Sequence, residues 1–399
     1  MPRSRRASGA RGGLPPLTSA ALTHPAVRIT PMSPGLEIQL ICAVTAAACA
    51  LVGAFLVLRR AALLSDAISH AVLPGIAIAF FVTGDLASPF LLVAAAITGV
   101  VTVALIEALT RTRLVKADAA IGLVFPALFS IGVILISLLA SDVHLDADAV
   151  LLGDPAFAWI ERFTVGGQDL GPLALWWMGG IFAICLVFVT VFYKELKLST
   201  FDAALAAALG FAPVALHYAL MALVSVVAVG AFDVVGSVLV VALMIAPPAA
   251  AWLLTDRMDV LLVLSVAFGI ASAIGGYWMA RGLDASIAGA MAGASGVVFI
   301  LAFAFAPERG LVAQALRRRR QKATFAERML LVHLLHHERT PEAERECRVS
   351  HLEDHLRWDH ARALLAVRTA EREDAITRAG DRLMLTDSGR TRAQRAMVE

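Results

Sequence analysis

From residue 36 to residue 305 the sequence is a succession of apolar runs, up to nine of them, each near the length a helix needs to cross a bilayer. About 20 apolar residues, rising about 1.5 Å each, cover about 30 Å of hydrocarbon. The runs fall near 36–58, 66–83, 88–110, 119–140, 173–193, 214–231, 233–254, 259–280 and 285–305. Only Ala231, Phe232 and Asp233 separate the sixth from the seventh, so eight spans with one broken or re-entrant segment is the alternative. With 59% hydrophobic and 17% charged residues in 399, the chain carries more apolar surface than a soluble core takes up. The expected class is an all-α polytopic membrane protein with eight or nine transmembrane helices.

The net charge of +2 conceals a strong segregation, with few charges between residues 36 and 306 and many at both ends. Basic residues near span ends stay in the cytoplasm. Arg59 and Arg60, then Arg111, Arg113 and Lys116, then Lys194 and Lys197, then Arg257, then Arg317 to Arg320 fall on alternate loops. The intervening loops hold only Arg162 and Arg281, which predicts a cytoplasmic C-terminus. Cys42, Cys49, Cys185 and Cys347 form no CxxC pair, so neither a disulfide framework nor a zinc ribbon is indicated. Residues 1–35 read as a disordered N-terminal extension without an apolar signal core, and Met32 is an alternative start of translation.

Past the apolar region, 36–310, the composition changes. A basic linker, 311–322, leads into 323–399, where ERMLLVHLLHHE and RWDHARALLAVRTAERED have the spacing of amphipathic helices. Gly380-Asp381 marks a turn between two short strands, and Thr386 to Arg390 starts a last helix. Helices followed by a hairpin predict a small cytoplasmic α+β winged-helix domain. Arg357, Arg362 and Arg368 lie on or near its second helix, but Asp359, Glu371, Glu373 and Asp374 dilute their charge, so nucleic acid is not an expected partner.

Within the second apolar run, SDAISHAVLPG sets Asp66 and His70 four residues apart, on one helix face. An ionised group at the centre of a membrane helix costs about 2.5–3.5 kcal/mol, so such residues face a pathway or a partner. Carboxylate with imidazole is a ligand set for manganese, iron or zinc, too small for a closed structural site and suited to a transient one. Pro74 has no N–H for the carbonyl of His70, which frees that oxygen. Spacing alone leaves a second reading, an interhelical Asp–His hydrogen bond that staples the bundle.

Other polar residues carry weaker signals. His144, Asp146 and Asp148 sit in an acidic stretch, external by the charge argument, that could pass cations inward. Asp118 reads as a solvated carboxylate, Asp233 as a lining of the outer mouth, and His217 as a hydrogen-bonded core histidine. Gly289 and Gly293 form a close-packing GxxxG, and Pro247-Pro248 should break the span that holds them. The tail contains His333, His336, His337, His351, His355 and His360, of which His351 and His355, with Cys347, could hold a regulatory metal. No Walker A sequence is present, so energy for any driven process comes from another polypeptide.

VLRRAALLSDAISHAVLPGIAIAFFVTG, RTRLVKADAAIGLVFPALFSIGVILIS, KELKLSTFDAALAAALG and VVGSVLVVALMIAPPAAAWLL together resemble the membrane subunits of ABC-type manganese, zinc and iron importers, the ABC-3 permeases. The resemblance runs in register over about 36–310. It implies a permease without enzymatic activity of its own, paired with a second permease of the same or similar sequence in a bacterial inner membrane. A cytoplasmic ABC ATPase dimer would supply hydrolysis, and an extracytoplasmic metal-binding lipoprotein would supply the ion. Asp66 and His70 then match the metal-coordinating pair, and 202–213, with Asp202, Ala203, Ala204 and Gly210, matches the coupling helix that docks on the ATPase. The tail is similar to iron-dependent-repressor-like extensions of some manganese permeases, through its LTDSGR turn and hairpin, which favours Mn2+ over Zn2+ or Fe2+ as cargo. Two rival readings are a membrane-tethered winged-helix transcription regulator and a secondary metal transporter that works alone.

Overall fold

The computed structural model of the chain describes residues 33–84, 88–139, 153–165, 168–356 and 358–398. Among them, nine helices or helix pairs are long and apolar enough to cross a membrane, and the chain is a multi-pass membrane protein. The spans are α1 (Pro34–Leu58), α2 with α3 (Leu63–Ala71 and Leu73–Thr83), α4 (Pro89–Arg111), α5 (Ala117–Leu139), α6 (Leu173–Val191), α9 (Pro213–Val235), α10 (Ser237–Leu254), α11 (Met258–Leu283) and α12 (Ile287–Phe305). Between α6 and α9 lie two short helices, α7 (Tyr193–Phe201) and α8 (Ala203–Ala208). The chain reverses at each connection, so Arg59, the C-terminal end of α4, α7, α8 and the start of α9 gather at one end of the bundle.

Helix α1 is the hub, with 78% of its span window buried against 11% for α5 at the periphery. It packs on α6, α9, α10 and α11, while α2 to α5 form a second group joined to the hub through α9. Small residues permit this. A Cβ at Gly53 of α1 would lie 2.8 Å from the carbonyl carbon of Met244 in α10, so only glycine lets the two backbones touch there.

That contact bears on the first of three expectations that the structure corrects. Pro247-Pro248 does not break its span, because α10 runs unbroken from Ser237 to Leu254. Pro248 has no N–H for the Met244 carbonyl, and the Gly53 backbone packs against that oxygen instead, with Met244 and both prolines buried. The sixth and seventh spans are separate, which removes the eight-span alternative, and the joint is Gly236 at φ 80 rather than 231–233. Glycine reaches that left-sided backbone without strain, whereas Ala231 to Asp233 remain inside α9. GxxxG likewise does not carry the α11–α12 contact. Gly276 of α11 does, meeting the backbone of Met291, while the nearest atom to Gly293 is the Met279 methyl at 3.6 Å.

At the opposite end, a hairpin of β1 (Arg162–Val165) and β2 (Gln168–Pro172) precedes α6. Arg162 donates from Nη1 to the buried Glu37 of α1 at 2.8 Å and also pairs with Asp169 at 3.2 Å. This gives the buried carboxylate of Glu37 a cationic partner.

After α12 the chain turns at Arg309, which stacks on the Trp252 ring at 4.4 Å, donates to the Trp252 carbonyl and pairs with Asp256. Then α13 runs without interruption from Leu311 to His337, so the basic residues 311–322 form the first part of a 27-residue helix. Its second half packs on α16 (His360–Arg372) and α17 (Asp387–Val398). The short α14 (Ala343–Glu346) and α15 (Val349–His355) lie between, and β3 (Ile376–Ala379) pairs antiparallel with β4 (Arg382–Leu385) through a turn at Gly380, φ 65. Backbone bonds from Leu383 to the Cys347 carbonyl and from Val349 to the Asp381 carbonyl add a third short segment to the hairpin. Leu330, Leu334, Leu352, Val367 and Leu383 form a core separate from that of the bundle.

Candidate functional site

Helix α2 ends at Ala71 and α3 starts at Leu73, so the second span is broken just after His70. Pro74 sits in the first turn of α3, where its missing N–H costs least. The break is held from outside. A Cβ at Gly132 of α5 would meet the Leu73 side chain and the Pro74 nitrogen at 2.9 Å, and one at Gly75 would meet the Ala94 carbonyl of α4 at 2.8 Å. Glycines thus let α4 and α5 close on the joint.

Asp66 and His70 share a face of α2, with His70 Nε2 3.7 Å from Asp66 Oδ1. That is too long for a hydrogen bond. It is close to the separation of about 3.4 Å between two ligands of a tetrahedral ion bound at about 2.1 Å. Asp66 is 52% exposed and His70 26% exposed, and among the described residues neither hydrogen-bonds to another helix. The His70 ring lies against Phe125 and Phe129 of α5, at 5.6 and 6.1 Å, with Phe129 edge-on. Those aromatic walls fix the ring plane. Their i, i+4 spacing in VFPALF was a readable signal, because it sets both rings on one face.

At the end of the bundle that carries Arg59, α8 is a six-residue helix that buries Ala206 and leaves its other side chains exposed. Asp202 caps it by accepting from the Leu205 N–H at 2.9 Å, and Gly210 at φ 87 closes it. Ala203, Ala204, Asp202 and Gly210 are exposed, as are Phe201, Leu205 and Leu209.

Beneath α7 lies a polar network that sequence reasoning did not find. Arg59 donates from Nε to Thr200 Oγ1 at 3.2 Å and from Nη2 to Ser199 Oγ at 3.1 Å, tying the end of α1 to α7. Its Nη1 donates to His217 Nδ1 of α9 at 3.1 Å. Arginine has no acceptor, so Nδ1 accepts and the imidazole proton resides on Nε2, which lies 2.8 Å from Glu107 Oε1 of α4. Tyr218 donates to the other Glu107 oxygen at 2.8 Å. His217 is therefore hydrogen-bonded, as expected, but as the link between α1, α4, α7 and α9.

Of the remaining sequence candidates, His144, Asp146 and Asp148 lie outside the described residues. Asp118 and Asp233 are exposed. All four cysteines are free and buried. Burial raises the pKa of the Cys347 thiol, which lowers its availability as a thiolate ligand. His351 faces Glu346, Nε2 to Oε2 2.9 Å, rather than a pair of its own. His355 ends α15.

The ABC 3 transport family matches residues 36–306. The zinc transport system membrane protein TroD of Treponema pallidum is 47% identical over 359 residues, covering 90% of this chain and 98% of that protein, so the likeness extends beyond the family match. The manganese transport system membrane protein MntD of Bacillus subtilis is 47% identical over 269 residues, 67% of this chain and 91% of that one. Among solved structures, PsaBC from Streptococcus pneumoniae in complex with Fab matches with a TM-score of 0.58 at 27% identity, covering 70% of this chain and 94% of that one.

Proposed function

This chain belongs to the ABC 3 transport family, and from that membership we propose that it is the membrane-spanning subunit of an ATP-driven importer of divalent transition-metal ions; the resemblance of the tail favours Mn2+ over Zn2+ or Fe2+ as cargo. It is a permease subunit of an ABC transport system and not an enzyme. Asp66 and His70 are the transient translocation site, and the observation that carries this is their 3.7 Å pairing at a helix break without an interhelical partner. Two ligands hold an ion weakly, which suits a carrier that must release its cargo. The remaining positions come from water, the carbonyl freed by Pro74, or a second permease. The exposed helix α8 is the coupling helix for a cytoplasmic ABC ATPase dimer, and a metal-binding lipoprotein delivers the ion from the opposite side. The tail lies in the cytoplasm, in line with the alternation of basic residues. We read 323–399 as a winged helix, supported by the hairpin and by the 347–349 segment that bonds to it.

The test is uptake of radiolabelled manganese and zinc by the complex assembled with its ATPase. Asp66→Asn and His70→Ala should each abolish most uptake while leaving assembly intact. Wild-type uptake in both variants refutes the site. Uptake by the purified chain in liposomes without an ATPase would instead support a secondary transporter.

A further inference from the structure

We propose that His333, His337 and Glu346 in the tail form a binding site for a divalent first-row transition ion, backed by His351, which locks the end of α13 to α14 and α15. His333 and His337 lie four apart on one face of α13, and their ring centroids are 4.8 Å apart. One ligand atom from each of His333, His337 and Glu346 lies within 4.8 Å of the other two. Ligands of an ion bound at about 2.1 Å sit about 3.4 Å apart, so the set closes on an ion by side-chain rotations of about 1 Å.

The cluster is held in place before any ion arrives. Glu346 ends α14, and the next residue is fastened on both sides, Cys347 N–H to the Ala343 carbonyl at 3.1 Å and Leu383 N–H to the Cys347 carbonyl at 2.8 Å. His333 Nε2 lies 3.1 Å from the Glu346 carbonyl; a proton donated there leaves Nδ1 as the ligating atom. His351 Nε2 sits 2.9 Å from Glu346 Oε2, the histidine–carboxylate arrangement that orients a ligand from behind. His333 and Glu346 are 7% and 8% exposed, whereas His337 is only partly buried and leaves the ion a way in.

Two imidazoles and one carboxylate with open positions suit zinc, cobalt or ferrous iron, and suit oxygen-preferring manganese less. The site therefore differs in donor set from the Asp66–His70 pair and does not depend on it. It also differs from the set expected from sequence, since His351 supports the carboxylate and Cys347 is not among the ligands.

The experiment uses the full chain in detergent carrying Asp66→Asn and His70→Ala, so that the membrane pair contributes nothing, with Co2+ as the probe. Visible ligand-field bands and equilibrium dialysis should report one Co2+ per chain at this site, displaced by Zn2+. Glu346→Gln and His337→Ala should each weaken the Co2+ Kd about 100-fold or more, and His351→Ala about 10- to 100-fold. His336→Ala, at an exposed neighbour of His337, should leave it unchanged. A parent chain that binds no Co2+ overturns the proposal. So does binding in which Glu346→Gln and His337→Ala match the parent. Because His337 is only partly buried, its alanine variant keeps the fold and the comparison stays decisive.

Discussion

Replacing Arg59 should release α7 and α8 from the bundle. Arg59 makes three donated bonds, to Thr200, Ser199 and His217, all between 3.1 and 3.2 Å. Each net bond is worth about 0.5–1.5 kcal/mol, and hydrogen bonds to charged groups run higher. Arg59→Ala removes all three, two of which hold α7; at about 1.5 kcal/mol for each bond from a charged donor, the docked state of α7 loses about 3 kcal/mol, roughly a 100-fold rise in the open population. Arg59→Lys keeps the charge but one ammonium cannot reach three acceptors on two helices, and about half the loss is expected. Hydrogen exchange on the full chain reads the opening directly: amides of Tyr193–Phe201 should exchange about 100-fold faster in Arg59→Ala, with α11 unchanged. In the complex assembled with its ATPase, hydrolysis should continue while metal taken up per ATP falls. Wild-type protection of α7 together with wild-type uptake per ATP in Arg59→Ala refutes the reasoning.

Further outcomes follow from other contacts. Gly53→Val forces α1 away from Met244 and should lower stability by about 1–3 kcal/mol, measured as a drop in the melting temperature of the detergent-solubilised chain. Arg162→Met strands the buried Glu37, 4% exposed, and should cost about 3 kcal/mol in the same assay, whereas Arg162→Met combined with Glu37→Gln should recover most of it. In the tail, Arg390 donates to both oxygens of Glu338 and holds that carboxyl below its ordinary 4.5. The pair's contribution is therefore complete above about pH 4.5 and is lost as pH falls through the lowered folded value. Protection of α17 amides in the full chain, taken relative to the intrinsic exchange rate at each pH, should fall on acidification below that point, and Glu338→Gln should flatten the dependence.

The spans were legible because each is a continuous apolar run, and such a run in lipid has no alternative to a helix. The hairpin at Gly380 was legible because a glycine-aspartate pair between short apolar stretches has few other backbone solutions. Three features resisted. Pro247-Pro248 looked like a break because the carbonyl it strands is visible in sequence, whereas Gly53, which covers that carbonyl, is nearly two hundred residues away. The joint at Gly236 was misplaced because polarity pointed to Asp233 while backbone conformation decided the matter. The Arg59 network was not readable, since its bonds join residues 140, 141 and 158 positions apart and each member alone resembles an ordinary interfacial polar group. At the site, the Asp66–His70 spacing was plain, but the aromatic wall of Phe125 and Phe129 required knowing that α5 lies against α2.

The unbroken α13 gives the tail an angular address. Its root is clamped by Arg309 on Trp252 and Asp256, and a helix transmits rotation along its length without slack. Adding two residues within 311–322 would swing the tail through about 200° and lengthen the rod by about 3 Å, whereas adding seven would lengthen it by about 10 Å yet restore its bearing to within about 20°. Chain length in this stretch is thus quantised by helical phase, and whatever surface the tail presents to its neighbours can be dialled in steps of about 100°.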